Sequence, residues 1–232
     1  IGSYFGNSQQ RRAINEDTVL ATLMAALASL NDSQRNAVQR SLAQRVLLIQ
    51  GPPETGKTQV AEVIFRVWKS IGVQGPFVGA APSNVAADNL ARRLLRKMDL
   101  NVMRYGPSDK IKDADVLKIS SQEKAKEADG YPTSMNKRAK KRRKQWERQA
   151  LADMDVVIGT LAMACDLQVE AVPCLLILVD EAAQATEPMT VIPFKLAGTD
   201  THVVPIGDHR QLAPTVLSAE AAFDGLGTSM FK

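Results

Sequence analysis

The stretch VLLIQGPPETGKT, residues 46–58, joins an apolar run to a glycine-rich loop that ends in Lys-Thr. The apolar run Val46–Gln50 predicts a short buried β-strand, and helical periodicity follows over residues 57–71. Between them, residues 51–58 fit the pattern G-x-x-x-x-G-K-[ST]. Such a loop points several backbone N–H groups into one concavity at a helix N-terminus, where negative charge is favoured. The stretch therefore predicts a phosphate-binding loop; the alternative is a glycine turn that arose by chance.

Further apolar runs alternate with helical patterns along the chain. Residues 15–29 predict an amphipathic lead-in helix, and a second helix begins at Asn31, which forms a capping-box pattern with Gln34. Another helix is expected to end near Met98. The other predicted strands are Phe77–Ala81, Asn101–Tyr105, Val156–Ile158, Leu175–Val179 and His202–Ile206. Continuous apolar strands alternating with helices predict an α/β fold, a parallel sheet with helices on both faces.

The net charge of +4 is distributed unevenly. Residues 137–148 contain eight basic residues and one acidic residue, a local charge of +7, which leaves −3 for the rest of the chain. This basic block lies within residues 107–150, a charge-rich stretch that predicts a helical insertion into the sheet domain. The block is denser than a solvated helix face needs, although a solvated face or a nuclear-targeting signal stays an alternative. We expect nucleic-acid contact through its central residues, which are Lys140, Lys141, Arg142 and Arg143.

Composition excludes several classes of protein. The two cysteines are too few for a disulfide scaffold and lack metal-ligand spacing, which favours a reducing compartment. No apolar run approaches the ~18 residues of a membrane span, so we expect no membrane partner. We expect a monomer in the cytoplasm, and the basic block leaves nuclear or shuttling localisation open. Because the chain begins at Ile1, we also expect it to be a piece of something longer.

An acidic pair, Asp180-Glu181, directly follows the apolar run that ends at Val179. Mg²⁺ is a hard cation that takes one or two carboxylates and keeps several waters. We therefore expect Asp180 to hold Mg²⁺ together with the Thr58 hydroxyl, Lys57 to reach the phosphates of a nucleotide, and Glu181 to polarise the attacking water. The alternative for the acidic pair alone is a helix cap.

Three weaker patterns follow other predicted strands. Residues 207–212 read GDHRQL, where Gln211 is a candidate sensor of the γ-phosphate or part of an ordinary loop. Pro82-Ser83-Asn84 is a candidate nucleic-acid contact, although Ser and Asn also cap helices. Thr160 is a further candidate contact that could merely end a strand.

In chain order, these segments resemble the first RecA-like domain of a superfamily 1 helicase of the Upf1-like group. The motifs that carry the resemblance are LNDSQ at 30–34, the loop at 51–58, APSN at 81–84, VIGT at 157–160, DEAAQATEP at 180–188 and GDHRQL at 207–212. Six motifs in the family's order identify the Upf1-like group with high specificity, but they do not distinguish well between its individual members. The alternatives, a recombinase or an AAA-type P-loop ATPase, lack this combination.

The resemblance implies a RecA-like P-loop NTPase fold and a role for each matched residue. Gln34 would read adenine, and Lys57, Glu181 and Gln211 would be catalytic. Thr58 and Asp180 would bind the metal. The loop residues would bind ATP; they are Gly51, Pro52, Pro53, Glu54, Thr55, Gly56, Lys57 and Thr58. The single-stranded nucleic acid would contact Pro82, Ser83, Asn84 and Thr160.

The resemblance also implies a domain organisation and an activity. A lead-in at 1–29 would precede the ATPase domain at 30–232, and a second RecA-like domain that supplies arginines would follow residue 232. Without it, we expect weak turnover and no unwinding, because an arginine finger contributes ~10³–10⁵ to the rate. The implied whole protein is an ATP-dependent 5′-to-3′ helicase that favours single-stranded RNA over DNA, with nonsense-mediated decay as one candidate pathway. The alternative function is a nucleotide-gated nucleic-acid clamp with vestigial hydrolysis.

One departure from the family's pattern lies inside the loop. The family usually has Gly where this chain has Glu54, which adds bulk and negative charge close to bound phosphates. We therefore hypothesise a weakened nucleotide site.

Overall fold

A parallel β-sheet forms the centre of the computed structural model, which describes residues 24–96, 99–126, 137–167 and 174–232. Within these ranges the strands are β1 (Ile49–Gln50), β2 (Phe77–Ala81), β3 (Val102–Arg104), β4 (Val156–Thr160), β5 (Cys174–Val179) and β6 (Ala197–Gly207). Their order across the sheet is β1-β6-β5-β2-β4-β3, and every neighbouring pair is parallel. All carboxyl ends therefore lie at one edge of the sheet, which we call the carboxyl edge.

Helices connect these strands. They are α1 (Asp32–Ala43), α2 (Lys57–Ser70), α3 (Asn84–Leu95), α4 (Ala114–Lys118), α5 (Ser121–Lys126), α6 (Lys137–Ala152), α7 (Glu187–Thr190) and α8 (Ala219–Phe223). Residues 24–28 are also helical, whereas the earlier part of the predicted lead-in helix lies outside the described residues, as does Met98. Short 3₁₀ turns span Ser108–Lys110, Ala162–Cys165, Ala182–Gln184 and Ile192–Leu196. None of the described helices is long and apolar enough to cross a membrane.

The predicted α/β fold is confirmed, and two strands are shorter than the sequence indicated: β3 lacks Asn101 and Tyr105, and β1 is reduced further. The apolar run from Val46 predicted a strand of five residues, but regular pairing with β6 involves only Ile49 and Gln50. Val46 forms an isolated bridge with Val203, and Val46 and Leu48 stay largely exposed. The run lies at the edge of the sheet, so one of its sides has no neighbouring strand in the described chain.

The core has two layers, one on each face of the sheet. Successive β5 residues alternate between them, because side chains of a strand point to opposite faces. Leu176 and Leu178 pack with α2 and α3 in one cluster, whereas Ile177 and Val179 belong to the other. This arrangement confirms that both faces of the sheet are covered.

Residues of the charge-rich stretch attach to both core layers. Ile111 and Val116 are buried in the cluster that contains α2, and Leu151 of α6 is buried in the other. Helix α5 packs against α6, which carries the basic block. Lys141 and Arg142 are exposed on α6, whereas the side chains of Lys140 and Arg143 lie outside the described part of the structure. The boundaries of the predicted insertion stay a prediction.

A matched pair of phenylalanine substitutions tests the core. Phe77 is fully buried, with its ring 6.2 Å from Trp68 in an edge contact. Phe77→Ala is expected to lower the free energy of unfolding by about 3–5 kcal/mol, through lost transfer energy and a cavity. Phe223 is 92% exposed, so Phe223→Ala is expected to cost no more than about 0.5 kcal/mol. Urea denaturation measures both, and equal losses would contradict this assignment of the core.

Candidate nucleotide and nucleic-acid site

The glycine-rich loop leads from β1 directly into α2, as its sequence predicted. Gly56 adopts a left-handed conformation with φ of 80°, and a Cβ atom there would lie 2.7 Å from Gln34 Nε2. The positive φ favours glycine, and a larger residue would also displace the end of the Gln34 side chain. Lys57 opens α2, and its buried Nζ donates hydrogen bonds to Gly51 O (3.0 Å) and Pro52 O (3.3 Å). The ammonium group is thus held against the loop that the sequence assigns to phosphate binding.

Glu54 also has a left-handed backbone, with φ of 62°, and its side chain is exposed. For an L-residue with a Cβ atom this conformation costs roughly 1–2 kcal/mol. The structure therefore gives a backbone reason for a glycine at this position, in addition to the bulk and charge that the sequence pointed to. Residue 54 combines strain with a negative charge in the middle of the loop.

Gln34 connects the start of α1 to the loop. Its Oε1 accepts from Asn31 N (3.0 Å) while Asn31 Oδ1 accepts from Gln34 N (2.9 Å), which confirms the predicted capping box. Its Nε2 donates to Thr55 O at 2.8 Å, a contact that the sequence did not predict. Gln34 therefore positions the loop backbone, and its adenine contact stays a prediction.

Helix α1 is held on the sheet by a buried histidine of β6. His202 Nδ1 donates to the carbonyl of Ser41 at 2.9 Å, and the ring meets Trp68 edge-on at 4.8 Å. Burial lowers the pKa of His202 below its ordinary value, which favours the neutral ring at pH 7. This contact fixes the helix that carries Gln34.

The acidic pair follows β5 at the carboxyl edge. Asp180 is 3% exposed, and its Oδ1 accepts from Glu181 N at 3.1 Å. Burial, with the neighbouring Glu181 charge, raises the pKa of Asp180 to about 7, whereas the Lys57 charge acts in the opposite direction. A desolvated carboxylate with a second carboxylate beside it is stabilised by a cation, which offsets the cost of its burial. The described residues contain no group of three or more His, Cys, Asp or Glu able to hold a metal. One carboxylate oxygen donor is a set that Mg²⁺ accepts, because Mg²⁺ binds through one or two carboxylates and keeps several waters.

The backbone after Asp180 is strained and tightly packed. Glu181 has a left-handed φ of 53°, and its Oε2 accepts from Gln184 Nε2 at 3.2 Å. The end of β6 packs closely against the backbone of Ala183. A Cβ atom on Gly207 would lie only 2.7 Å from Ala183 N. The half-buried Glu181 carboxylate is therefore held at a defined place beside the end of β6.

The GDHRQL segment turns around a buried carboxylate. Asp208 is 2% exposed and accepts from Arg210 N (3.0 Å) and from Gln211 Nε2 (3.3 Å). The Arg210 N–H, then the Gln211 amide and the Lys57 charge, hold the pKa of Asp208 below its usual range. His209 Nδ1 accepts from Gln50 Nε2 at 2.8 Å, which ties this turn to the end of β1. Asp208 was not among the predicted site residues, although a carboxylate directly after a buried strand was the available signal.

Two adjoining cavities open beside the loop. The smaller, about 230 Å³, is bordered by Gln34, Gly51, Pro52, Thr55 and Lys57. The larger, about 500 Å³, lies between α1 and the β1 edge and includes Asp32, Asn36 and Arg40. Both are lined in part by Ser33, Ala37, Ile49 and Gln50, so the two cavities adjoin, and together we call them the cleft beside the loop.

The candidate nucleic-acid residues lie on the other half of the carboxyl edge. Ala81 is in register with Thr160, and Leu161 N donates to Ala81 O at 2.9 Å. Ser83 caps α3 by accepting from Ala86 N at 3.1 Å. The segments 82–84 and 160–161 thus follow neighbouring strands. In the described ranges, no hydrogen bond or ion pair joins them to Lys141 or Arg142 of α6.

Comparison with known proteins agrees with this geometry. A family described as an AAA domain matches residues 29–129 and 114–219, which is most of the chain. The chain belongs to this AAA domain family. It is a Upf1-like superfamily 1 helicase motor domain, which confirms the resemblance inferred from the six motifs.

Named relatives resemble the chain over nearly its full length. Regulator of nonsense transcripts 1 of Caenorhabditis elegans is 30% identical over 98% of the chain. The ATP-dependent helicase NAM7 of Saccharomyces cerevisiae is 34% identical over 88%, and the DNA-binding protein SMUBP-2 of Mesocricetus auratus is 30% identical over 88%. The chain spans only 22% of the first two relatives and 24% of the third.

Solved structures support the fold. The crystal structure of the UvsW helicase from bacteriophage T4 superposes with a TM-score of 0.53 at 14% identity, covering 95% of this chain and 67% of that one. A second T4 UvsW structure gives a TM-score of 0.53 at 13% identity, over 85% and 35% of the two chains. The RecA-like α/β fold is therefore confirmed.

Replacing Glu54 by glycine tests the backbone strain in the loop. Glu54→Gly is expected to raise the free energy of unfolding by about 0.5–1 kcal/mol, because glycine adopts φ of 62° without a Cβ penalty. Urea denaturation provides the measurement. Glu220, exposed on α8 and not among the positive-φ residues, is the matched control, and Glu220→Gly is expected to destabilise. If Glu54→Gly lowers the free energy of unfolding as Glu220→Gly does, the backbone of Glu54 is not strained.

Proposed function

We propose that the chain is the first RecA-like motor domain of an ATP-dependent helicase that moves along single-stranded nucleic acid. The observation that carries this proposal is that the phosphate loop, the GDHRQL turn and the acidic pair follow three adjacent strands, β1, β6 and β5. Gly51 N donates to Gly207 O at 3.2 Å, and Val179 is in register with Pro205. In open α/β sheets, ligands bind outside the carboxyl ends of the strands.

ATP would occupy the cleft beside the loop, with its phosphates against residues 51–58 and its base between α1 and the β1 edge. Lys57 would exchange its bonds to Gly51 O and Pro52 O for phosphate oxygens. Thr58 and Asp180 would hold Mg²⁺, which neutralises charge on the phosphates when bound. Gln34 would meet adenine while keeping the loop in place through Thr55.

Glu181 would act as the general base. Its carboxylate is half-buried and oriented by Gln184, so it can accept a proton from a water that attacks the γ-phosphate in line. Gln211, held by Asp208, would contact the γ-phosphate and stabilise charge in the transition state. Asp208 thus has a positioning role, through the hydrogen bond to the Gln211 amide.

Single-stranded nucleic acid would lie across the ends of β2 and β4, on Pro82, Ser83, Asn84 and Thr160. Helix α6 would add phosphate contacts through its basic block. We propose RNA as the favoured track, 5′-to-3′ movement, and a second RecA-like domain as partner. Relatives named ATP-dependent helicases favour the motor over the nucleotide-gated clamp.

Substitution of the proposed base tests the reaction. In the complete protein, with the proposed second RecA-like domain, Glu181→Gln is expected to slow single-turnover ATP hydrolysis by about 10²–10⁴-fold while retaining nucleotide binding, because an amide cannot accept the proton. Hydrolysis is followed with radiolabelled ATP in the presence of oligouridine. Glu187→Gln, an exposed residue of the same motif, is the control and is expected to hydrolyse ATP at the wild-type rate. Hydrolysis by Glu181→Gln at the wild-type rate would exclude Glu181 as the base.

The charge of Glu54 is tested separately from its strain. Glu54→Gln keeps the Cβ atom and removes the charge, so it is expected to lower the Kd for ATP about 5-fold at low salt. The gain is expected to shrink at high salt, because ions screen exposed charges. Isothermal titration calorimetry at two ionic strengths measures the Kd for ATP. Glu220→Gln, which removes an exposed charge on α8, is the control and is expected to leave this Kd unchanged. An unchanged Kd at low salt would show that Glu54 does not repel the phosphates.

A further inference from the structure

Arg104 is a buried charge that the proposed reaction does not use. It is the last residue of β3, after Val102 and Met103, and its relative exposure is 0%. A buried guanidinium is costly unless its N–H groups find acceptors. Its location matters because β3 neighbours β4, which carries Thr160 of the candidate nucleic-acid track.

The guanidinium group binds three acceptors around the N-terminal half of α3. Its Nε donates to Asp88 Oδ1 at 2.8 Å, its Nη1 to Tyr105 O at 2.6 Å and its Nη2 to Asn84 Oδ1 at 3.0 Å. The second oxygen of Asp88 accepts from Lys112 N at 3.3 Å. The Arg104–Asp88 pair therefore holds α3 against β3, and the third bond reaches a residue that the sequence assigned to nucleic-acid contact.

The contact with Arg104 decides which way the Asn84 amide faces. A guanidinium group only donates hydrogen bonds, so the group next to Nη2 has to be the Asn84 oxygen. The NH₂ group of the same amide consequently lies on the side away from Arg104. Asn84 is half-buried, at the first position of α3, so this NH₂ group can reach a ligand at the surface. An NH₂ group is a donor, which suits an oxygen acceptor such as a backbone phosphate.

We propose that Arg104 is a positioning residue for nucleic-acid binding, which fixes Asn84 so that its NH₂ group donates to a phosphate oxygen of a single strand. The proposal rests on the proposed function of the segment 82–84. Fixing one side-chain orientation before binding removes part of the entropy that binding otherwise loses. Arg104 itself does not touch the nucleic acid.

A double-mutant cycle on the 232-residue chain tests this role, with a fluorescein-labelled oligouridine as the probe. Arg104→Lys keeps a charge beside Asp88 but lacks the planar fork that reaches Asn84 as well. It is expected to weaken oligouridine binding about 5-fold, and Asn84→Ala to weaken it at least as much. In the Asn84→Ala background, Arg104→Lys is expected to have no further effect, because the residue through which it acts is gone.

Two comparisons separate positioning from a merely structural role. Arg66→Lys is the matched control, since Arg66 bonds Asp99 at 2.6 Å on another part of the surface, and it is expected to leave oligouridine binding unchanged. Asn84→Asp keeps an oxygen for Arg104 but removes the NH₂ donor. This variant is expected to melt at or above the wild-type temperature and to lose oligouridine affinity, because the donor is gone and the new carboxylate repels phosphate. Its decisive outcome is unchanged oligouridine binding, which would overturn the proposal even if Arg104→Lys fails to fold.

The outcomes distinguish this proposal from the proposed function. Equal losses from Arg104→Lys in the wild-type and Asn84→Ala backgrounds would overturn positioning, as would wild-type oligouridine binding by Asn84→Asp. Weakening of ATP binding by the same factor as oligouridine binding would also overturn it, because that indicates general loosening of the fold. If the unmodified chain binds no oligouridine, the proposed function fails and the proposal fails with it.

Discussion

Two consecutive carbonyl groups at the end of β2 hold the middle of the carboxyl edge in register. Ala80 O accepts from Asp180 N at 2.8 Å on one side, and Ala81 O accepts from Leu161 N at 2.9 Å on the other. The acidic pair and the Thr160 segment are thereby fixed to adjacent residues of one strand. A one-residue shift in the register of a strand would move all its side chains to the other face of the sheet. The positions of both segments relative to β2 are therefore fixed.

The strand order places the two sets of candidate site residues on different halves of the carboxyl edge. The groups assigned to ATP follow β1, β6 and β5, whereas those assigned to nucleic acid follow β2 and β4. Only the β5–β2 pairing separates the two sets, and it is continuous from Val78 to Ala80. A displacement of the Asp180 segment would therefore reach residues 82–84 through one continuous strand pairing. If the proposed function holds, this pairing would couple ATP hydrolysis to nucleic-acid binding.

Features that depend on residues close together in sequence were predicted, whereas contacts between residues far apart in the chain were not. The phosphate loop, the capping box of Asn31 and Gln34, and the acidic pair each depend on neighbours in sequence, so spacing alone indicated them. The strand order and the Gln34–Thr55 contact join residues far apart in the chain, which no local pattern encodes. Arg104 was missed for the same reason: a charge at the end of a buried run was visible, but its acceptor Asp88 lies 16 residues earlier on another element.

The Gln34 side chain restricts what position 34 tolerates. Its amide accepts a hydrogen bond from the backbone N–H of residue 31 and donates a hydrogen bond to the carbonyl of residue 55. Glutamate has the length but no donor at neutral pH, and asparagine has both groups but is one methylene shorter. Leucine would fill the space and leave both backbone groups without this partner. Of the common amino acids, glutamine alone therefore joins the cap of α1 to the phosphate loop in this way, and two main-chain groups impose this requirement before any ligand binds.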